Sequence, residues 1–276
     1  MSDNSADTNC ASVYIHLMFG QTLAIVRNTF REAVRDRVLY NLILFALLLI
    51  GSAIFIGELS AGQEAKIVID LGLSAMLLFG AFIAIFVGVG LVHKEIERRT
   101  LYAILSKPIG RGQFLFGKYL GLNLTLLVNI VVMGLGVVLA LLYTTRSLDP
   151  LVWRIWPAIL LIYFELLIIT AIALVFSSFS SPALSALLSF FIFVIGHFSS
   201  DLRALSDSVA STPARWLFRV LYYLLPNFSN FSAITATAHG ANPDARTVAG
   251  AMVYGVLYVA ALLSVAALVF RRRNFK

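Results

Sequence analysis

Gly112-Gln-Phe-Leu-Phe-Gly117-Lys118-Tyr119 follows the spacing of a phosphate-cradling loop as far as its lysine and then departs from it. Such a loop ends in Ser or Thr, whose hydroxyl holds magnesium, and a tyrosine cannot take that place. Two phenylalanines and a leucine fill the interior of the stretch, and no strand pattern precedes it. We read no nucleotide site here. No other stretch resembles a phosphate cradle, so the chain is expected to have no ATPase of its own and to hold no cofactor. The single cysteine, Cys10, can form neither an internal disulfide nor a metal cluster. The one acid deep within an apolar stretch is Glu165. A carboxylate at mid-bilayer costs roughly a few kcal/mol and usually faces a bundle interior or a wet cavity. It reads either as a pathway or proton-linked residue, or as a protonated side chain bonded to a neighbouring helix. Asn123 and Asn129 are its candidate partners, and His197, a lone histidine, reads as structural.

The elements that must position these residues follow from composition. Of 276 residues 60% are hydrophobic and 13% charged, against about 45–50% and about 25% in soluble domains. The excess sits in six blocks: Leu39–Ile56, Leu71–Val92, Tyr119–Tyr143, Trp156–Phe176, Ala183–Phe198 and Val248–Phe270. About 20 apolar residues make a helix about 30 Å long, the thickness of bilayer hydrocarbon. The expected fold is an all-α integral membrane protein with six transmembrane helices, the fifth short. Met1–Ala11 carries Asp3 and Asp7 but no Lys or Arg, unlike the start of a signal peptide. Residues 1–12 are expected to be a disordered tail ahead of one domain, residues 13–276.

Lys and Arg give the orientation. Arg27, Arg31, Arg35 and Arg37 precede the first span. Lys94, Arg98, Arg99, Lys107, Arg111 and Lys118 lie between spans two and three, and Arg271, Arg272, Arg273 and Lys276 follow the sixth. These fourteen share one side, and the remaining seven of the 21 lie on the other. The richer side is expected to be cytoplasmic, with both termini there. The net charge of +7 therefore reads as orientation rather than nucleic-acid binding.

Three regions outside the spans are informative. In Tyr14–Arg37, Val26, Phe30 and Val34 recur every fourth residue beside a stripe of Arg27, Arg31 and Arg35, the pattern of an amphipathic helix in the membrane interface. In the long outer loop, Ala214–Leu225 carries Trp216, Phe218, Tyr222 and Tyr223 and reads as a helix dipping into the outer leaflet. In His93–Lys118, Glu95 and Glu97 stand at the start of a helical pattern, Arg98 and Arg99 follow, Leu101, Ile104 and Leu105 form an apolar face, and Ser106-Lys107-Pro108 ends it. That helix either docks a cytoplasmic partner or folds back on its own bundle. Gly72, Met76, Gly80, Ala84 and Gly88 form a small-residue stripe for close helix approach, within the subunit or across a dimer. We find no internal repeat and no paired interrupted helices of an inverted-repeat transporter.

Glu95-x-Glu97-x-x-Thr100-Leu101-x-x-x-Leu105-Ser106-x-Pro108-Ile109-x-Arg111, followed by Gly117-Lys118, resembles the signature loop of type 2 ABC (ATP-binding cassette) transporter permeases. Within that family it is similar to the group linked to multi-copper enzyme maturation, which includes the NosY-like permeases. The layout of interfacial helix, six spans and long loop before the last span is shared. Arg98-Arg99 departs from the family, where many members carry an acidic residue or a glycine. The resemblance implies a non-catalytic permease of a bacterial inner membrane, paired with a second copy or a related permease, and export rather than import. Glu95, Glu97, Arg98, Arg99, Thr100, Leu101 and Leu105 would form a coupling helix seated in a separate ATPase subunit, present twice, which would hold ATP and magnesium. The rivals are an ion- or proton-coupled carrier centred on Glu165 and a membrane assembly factor without transport. The spans carry no dense polar lining, so lipid-like, peptide and metal-linked cargo are all compatible.

The orientation is testable with reporter fusions. Green fluorescent protein after Lys276 should fluoresce, and alkaline phosphatase inserted in the 199–247 loop should be active. The reverse pattern overturns the charge reading.

Overall fold

The computed structural model describes residues 20–60, 62–97, 110–146, 150–208, 211–241 and 243–272. Every element among them is helical. Helix α1 covers residues 20–34. It is followed by α2 (Arg37–Glu58), α3 (Glu64–Glu97), α4 (Arg111–Thr145), α5 (Pro150–Ser177) and α6 (Pro182–His197). Then come α7 (Ser199–Ser208), α8 (Thr212–Leu224), a 3-10 turn (Phe228–Phe231), α9 (Ile234–Ala238) and α10 (Ala245–Arg272). Without water in the hydrocarbon, backbone N–H and C=O groups must be paired within the chain, and helices do this locally.

Five helices, α2, α3, α4, α5 and α10, are long and apolar enough to cross a membrane. The expected fifth span is instead the 16-residue α6, about 24 Å long at 1.5 Å per residue. The other helices outrun the expected spans. α3 has 34 residues and α4 has 35, about 50 Å each, because no breaker stands where the apolar runs stop. Glu95 and Glu97 are consequently the last turn of α3, not the first turn of a separate short helix. Arg98–Ile109, with the expected coupling residues Arg98, Arg99, Thr100, Leu101 and Leu105, lies outside the described residues, as does the expected tail with Cys10.

Local chemistry sets the turns. Asp36 caps α2 by accepting from the Val38 N–H at 3.0 Å. Gly62, at φ 82°, supplies the left-handed residue of the tight α2–α3 hairpin. Pro182 opens α6 at a position where its missing N–H leaves no helical bond unmade.

Helices α3 and α5 form the centre, and both are mostly buried. α2, α4, α6 and α9 pack around α3, and α10 lies against α5. The lipid-facing sides of α2 and α10 carry exposed Phe45, Leu48, Phe55, Val256 and Leu257. The small-residue stripe of α3 is covered within the chain: Gly72 faces Val137 of α4, Gly80 faces Leu166 of α5, and Gly88 faces Ala173 of α5. Met76 and Ala84 are likewise buried. These residues are therefore not on a face free to meet a second copy.

Helix α1 seats on the start of α4, but through a different face from the one expected. Thr29 and Ala33 are its fully buried residues, while Val26, Phe30 and Val34 are half-buried. The arginines at 27, 31 and 35 are exposed. The reason is close approach at glycine: Gly121 meets Thr29 and the Val26 carbonyl, and Gly117 meets Ile25. A Cβ on Gly121 would lie 2.6 Å from Thr29 Cβ and 2.8 Å from the Val26 oxygen. Gly121→Ala should therefore destabilise the purified protein by about 1–3 kcal/mol. Gly51→Ala, with nothing within 4 Å, should be neutral or stabilising by up to about 1 kcal/mol. Thermal unfolding in detergent compares the two, and equal melting temperatures would contradict the α1–α4 seat.

Candidate functional site

The proximal end of the bundle is the end where α3 finishes and α4 begins. The first turns of α4 hold the residues that imitated a phosphate loop, and they are helix rather than cradle. Gly110 caps α4 with no side-chain bond, and the Phe114 N–H donates to the Gly110 carbonyl. Gln113 Nε2 donates to Thr22 Oγ1 at 3.0 Å. Lys118 is 1% exposed, and its Nζ lies 3.5 Å from Glu32 Oε2 and 5.9 Å from the Phe114 ring centre. A buried lysine needs such a counter-charge, because removing one partner leaves an uncompensated ion. The lysine therefore ties α1 to α4 instead of reaching for phosphate. Two long helices and a bolted-on third thus support whatever connects residues 97 and 110.

The distal end is the opposite one, where residues 199–208 and 211–241 lie. Glu165 sits in the middle of α5 and is 1% exposed. Its neighbour is His197 at the end of α6, with Nε2 3.2 Å from Glu165 Oε1. The separation is that of an ion pair but lacks hydrogen-bond alignment. His197 Nδ1 lies 3.0 Å from the Phe193 carbonyl oxygen. A carbonyl only accepts, so Nδ1 carries a hydrogen. Nε2 therefore faces Glu165 either as a lone pair toward a carboxylic acid or as an N–H toward a carboxylate.

Asn123 and Asn129 on α4 are buried, but neither hydrogen-bonds Glu165 among the described residues. Asn123 Oδ1 and Asn129 Nδ2 are left without hydrogen-bond partners in the bundle. The expected partnership with Glu165 is thus replaced by His197. Helix geometry explains why. The α5–α6 hairpin turns between Ser177 and Pro182. Glu165 is about 18 Å before that turn and His197 about 22 Å after it, so antiparallel packing brings them to one height. Counting outward from the Ser177–Pro182 link would have paired them from sequence.

The shortness of α6 creates the site. Gly196 lets the Phe228 ring approach to where its own Cβ would stand, and Phe228 and Phe231 plug the bundle, both essentially unexposed. Hydrogen bonds pin this segment. Ser199 Oγ donates to Asn227 Oδ1 at 2.6 Å, the Asn227 N–H donates to the Tyr254 hydroxyl at 3.0 Å, and Arg154 Nη1 donates to the Gly240 carbonyl at 3.1 Å. Non-helical backbone at this depth is tolerated when it is buried in protein or lines a cavity. Here it does both. A cavity of about 340 Å³ lies beneath it, lined by Asp70 and Ser74 of α3, Glu165, His197, Phe231 and Thr235. Asp70, Ser74 and Thr235 are exposed and form the mouth, with Glu165 at depth. Sequence reasoning missed Asp70, Ser74 and Thr235: helix packing sets α3 beside α5, and the fold of residues 228–238 adds Thr235 to them. No residue of α8 is fully buried, and Trp216, Leu217, Tyr223 and Leu224 stand exposed.

The chain is similar to two proteins named probable ABC transporter permease protein NosY. That of Stutzerimonas stutzeri is 30% identical over 141 residues, covering 48% of this chain and 50% of the relative. That of Pseudomonas aeruginosa is 35% identical over 107 residues, covering 37% and 38%. The matched stretches therefore span half or less of these relatives. A family model described as ABC-2 family transporter protein matches residues 23–275, from the helix seated on α4 to the end of the last span. With five helices long and apolar enough to cross a membrane among the described residues, and this match along nearly its whole length, the chain is a multi-pass membrane protein and belongs to the ABC-2 family of ABC transporter permeases.

Proposed function

We propose that the chain is the non-catalytic half of an exporter in a bacterial plasma membrane, with both termini in the cytoplasm, α6 as the fifth of six spans and α8 in the outer interface. A second copy or a related permease completes the pathway. Two separate ATPase subunits, which hold the ATP and magnesium, dock on residues 93–118. Glu95, Glu97, Arg98, Arg99, Thr100, Leu101 and Leu105 form the contact. The observation that carries the reading is the length of α3 and α4. Each is about 50 Å, against about 30 Å of hydrocarbon. The apolar part of α3 ends at Leu91, and the helix continues through Glu97. The charged last turn of α3 and the α1-braced start of α4 make a stiff pedestal outside the lipid, the kind of support a force-transmitting contact needs.

ATP binding by the partner would close the ATPase pair, push the 98–109 connection and bias the bundle between inward- and outward-open arrangements. A ligand can shift such an equilibrium only by its differential affinity for the two states. Glu165 serves the pathway, and Asn123 and Asn129, with their unmet polar atoms, are further candidates.

Two experiments test the reading. Replacing Glu95 and Glu97 together by lysine should reduce ATPase co-purification and permease-dependent ATP turnover about tenfold or more. Unchanged assembly and turnover would sink the docking assignment. Glu165→Gln should alter transport in vesicles while leaving ATPase assembly intact, and wild-type transport would leave that residue a structural role alone.

A further inference from the structure

We infer that the cavity beneath residues 228–235 is a binding site for a small amphiphilic amine, held by its ammonium group on Glu165. The proposal rests on the pathway reading of Glu165, and its test reads binding instead of transport, so the two can fail separately.

Three features of the cavity select this chemistry. Glu165 is buried, lines the cavity and has an oxygen, Oε1, that makes no hydrogen bond. A buried carboxyl oxygen left in this state is an acceptor awaiting a donor. Second, the charge is one-sided. Asp70 at the mouth and Glu165 at depth are acids, no lysine or arginine among the described residues lines the cavity, and Ser74 and Thr235 add hydroxyl oxygens. An anion would meet two acids here, with His197 as its one titratable counterpart in the lining. Third, Leu77, Ile162, Phe231 and Ile234 supply an apolar wall beside the carboxylate. An inorganic ion with its hydration shell gains nothing from such a wall. An alkyl or aryl group buries against it, and the Phe231 ring offers a face to a cation. The volume of about 340 Å³ lies at the small end of the range of ligand pockets, about 300–1,000 Å³.

A directly coordinated metal fits poorly. Among the described residues no three His, Cys, Asp or Glu side chains converge at ligand distance. Asp70, Glu165 and His197 are the titratable groups lining the cavity, and Asp70 stands at the mouth, apart from the buried pair.

Binding supplies Glu165 Oε1 with the donor it lacks. A net-neutral Glu165–His197 pair holds one exchangeable proton, on the carboxyl or on His197 Nε2. An incoming R–NH₃⁺ donates to the carboxylate as that proton is given up, and His197 stays neutral with its Nδ1–H on the Phe193 carbonyl. The displaced proton leaves through the mouth past Asp70. One cation enters, one proton leaves and the net charge is conserved.

The test uses the full chain in lipid nanodiscs at neutral pH, with empty nanodiscs subtracted. The probes are phenethylamine, protonated under these conditions, and its neutral analogue 2-phenylethanol, titrated by calorimetry. The amine should bind saturably and about tenfold more tightly than the alcohol, the scale of one hydrogen bond to a charged group. Glu165→Gln should weaken the amine about tenfold and leave the alcohol unchanged. Should that variant not fold, Asp70→Asn at the exposed mouth serves in its stead, with an expected loss of about two- to fivefold for the amine. Equal affinity for amine and alcohol overturns the proposal. So does wild-type amine binding in a folded Glu165→Gln, or in Asp70→Asn when it is the deciding variant. Stoichiometric, Glu165-dependent binding of zinc alone would make this a metal site and also overturn it. Amine binding without amine transport would leave the site standing and remove Glu165 from the pathway.

Discussion

Close approach along one face of α3 is the contact on which the rest of the bundle depends. Gly72, Gly80, Ala84 and Gly88 present almost no side chain, so Val137, Leu166 and Ala173 settle against the helix backbone. In lipid no hydrophobic driving force separates protein from solvent, and helices associate through such contacts. Because α4 and α5 both use this stripe, α3 becomes the central rod. The remaining helices are placed by it: α2 and α6 pack on its flanks, α9 rests on its distal end, and α1 reaches the bundle by way of α4.

The two candidate sites are the two ends of that rod. Asp70 and Ser74 stand in its first turns and Glu95 and Glu97 in its last. Between them the helix runs unbroken, and its middle is buried on several sides. The lateral neighbours differ in character. At the proximal end α1 and α4 are tied by the buried Lys118, its Glu32 partner and glycine contacts. At the distal end the packing is looser chemistry: a short helix, a plug of two phenylalanines and a handful of hydrogen bonds.

Much of this was legible in the residues, and the part that was not has physical causes. Apolar block length located all six long or apolar helices, since hydrocarbon thickness dictates it. The ends were missed because polar residues such as Lys94, Glu95 and Glu97 are good helix formers, so hydropathy stops before the helix does. The face of α1 was misread for a different reason. A glycine on the partner helix lets Thr29 bury more deeply than Val26 or Phe30, and nothing in α1 itself encodes that. Glu165 stood out as a lone acid, but its histidine required pairing two heights across a hairpin. The cavity lay beyond reach altogether, because it is formed where residues 228–238 fold inward, far along the chain from α3 and α5. The small-residue stripe of α3 was visible as spacing, whereas its partners within the chain were not.

The unbroken length of α3 has a mechanical consequence. Gly72, Gly80 and Gly88 are packed and no proline interrupts Glu64–Glu97, so over the stretch from Gly72 to Gly88 the helix is held straight; Gly90, with nothing within 4 Å, lies beyond it. A stretch held straight in this way moves by tilting, sliding or rotating as one piece. Gly80, pressed against Leu166 near its midpoint, is the natural fulcrum. A swing of its charged tip in one direction then carries Asp70 in the other. The mouth of the cavity and the pedestal thus stand on opposite sides of the packed middle of one helix.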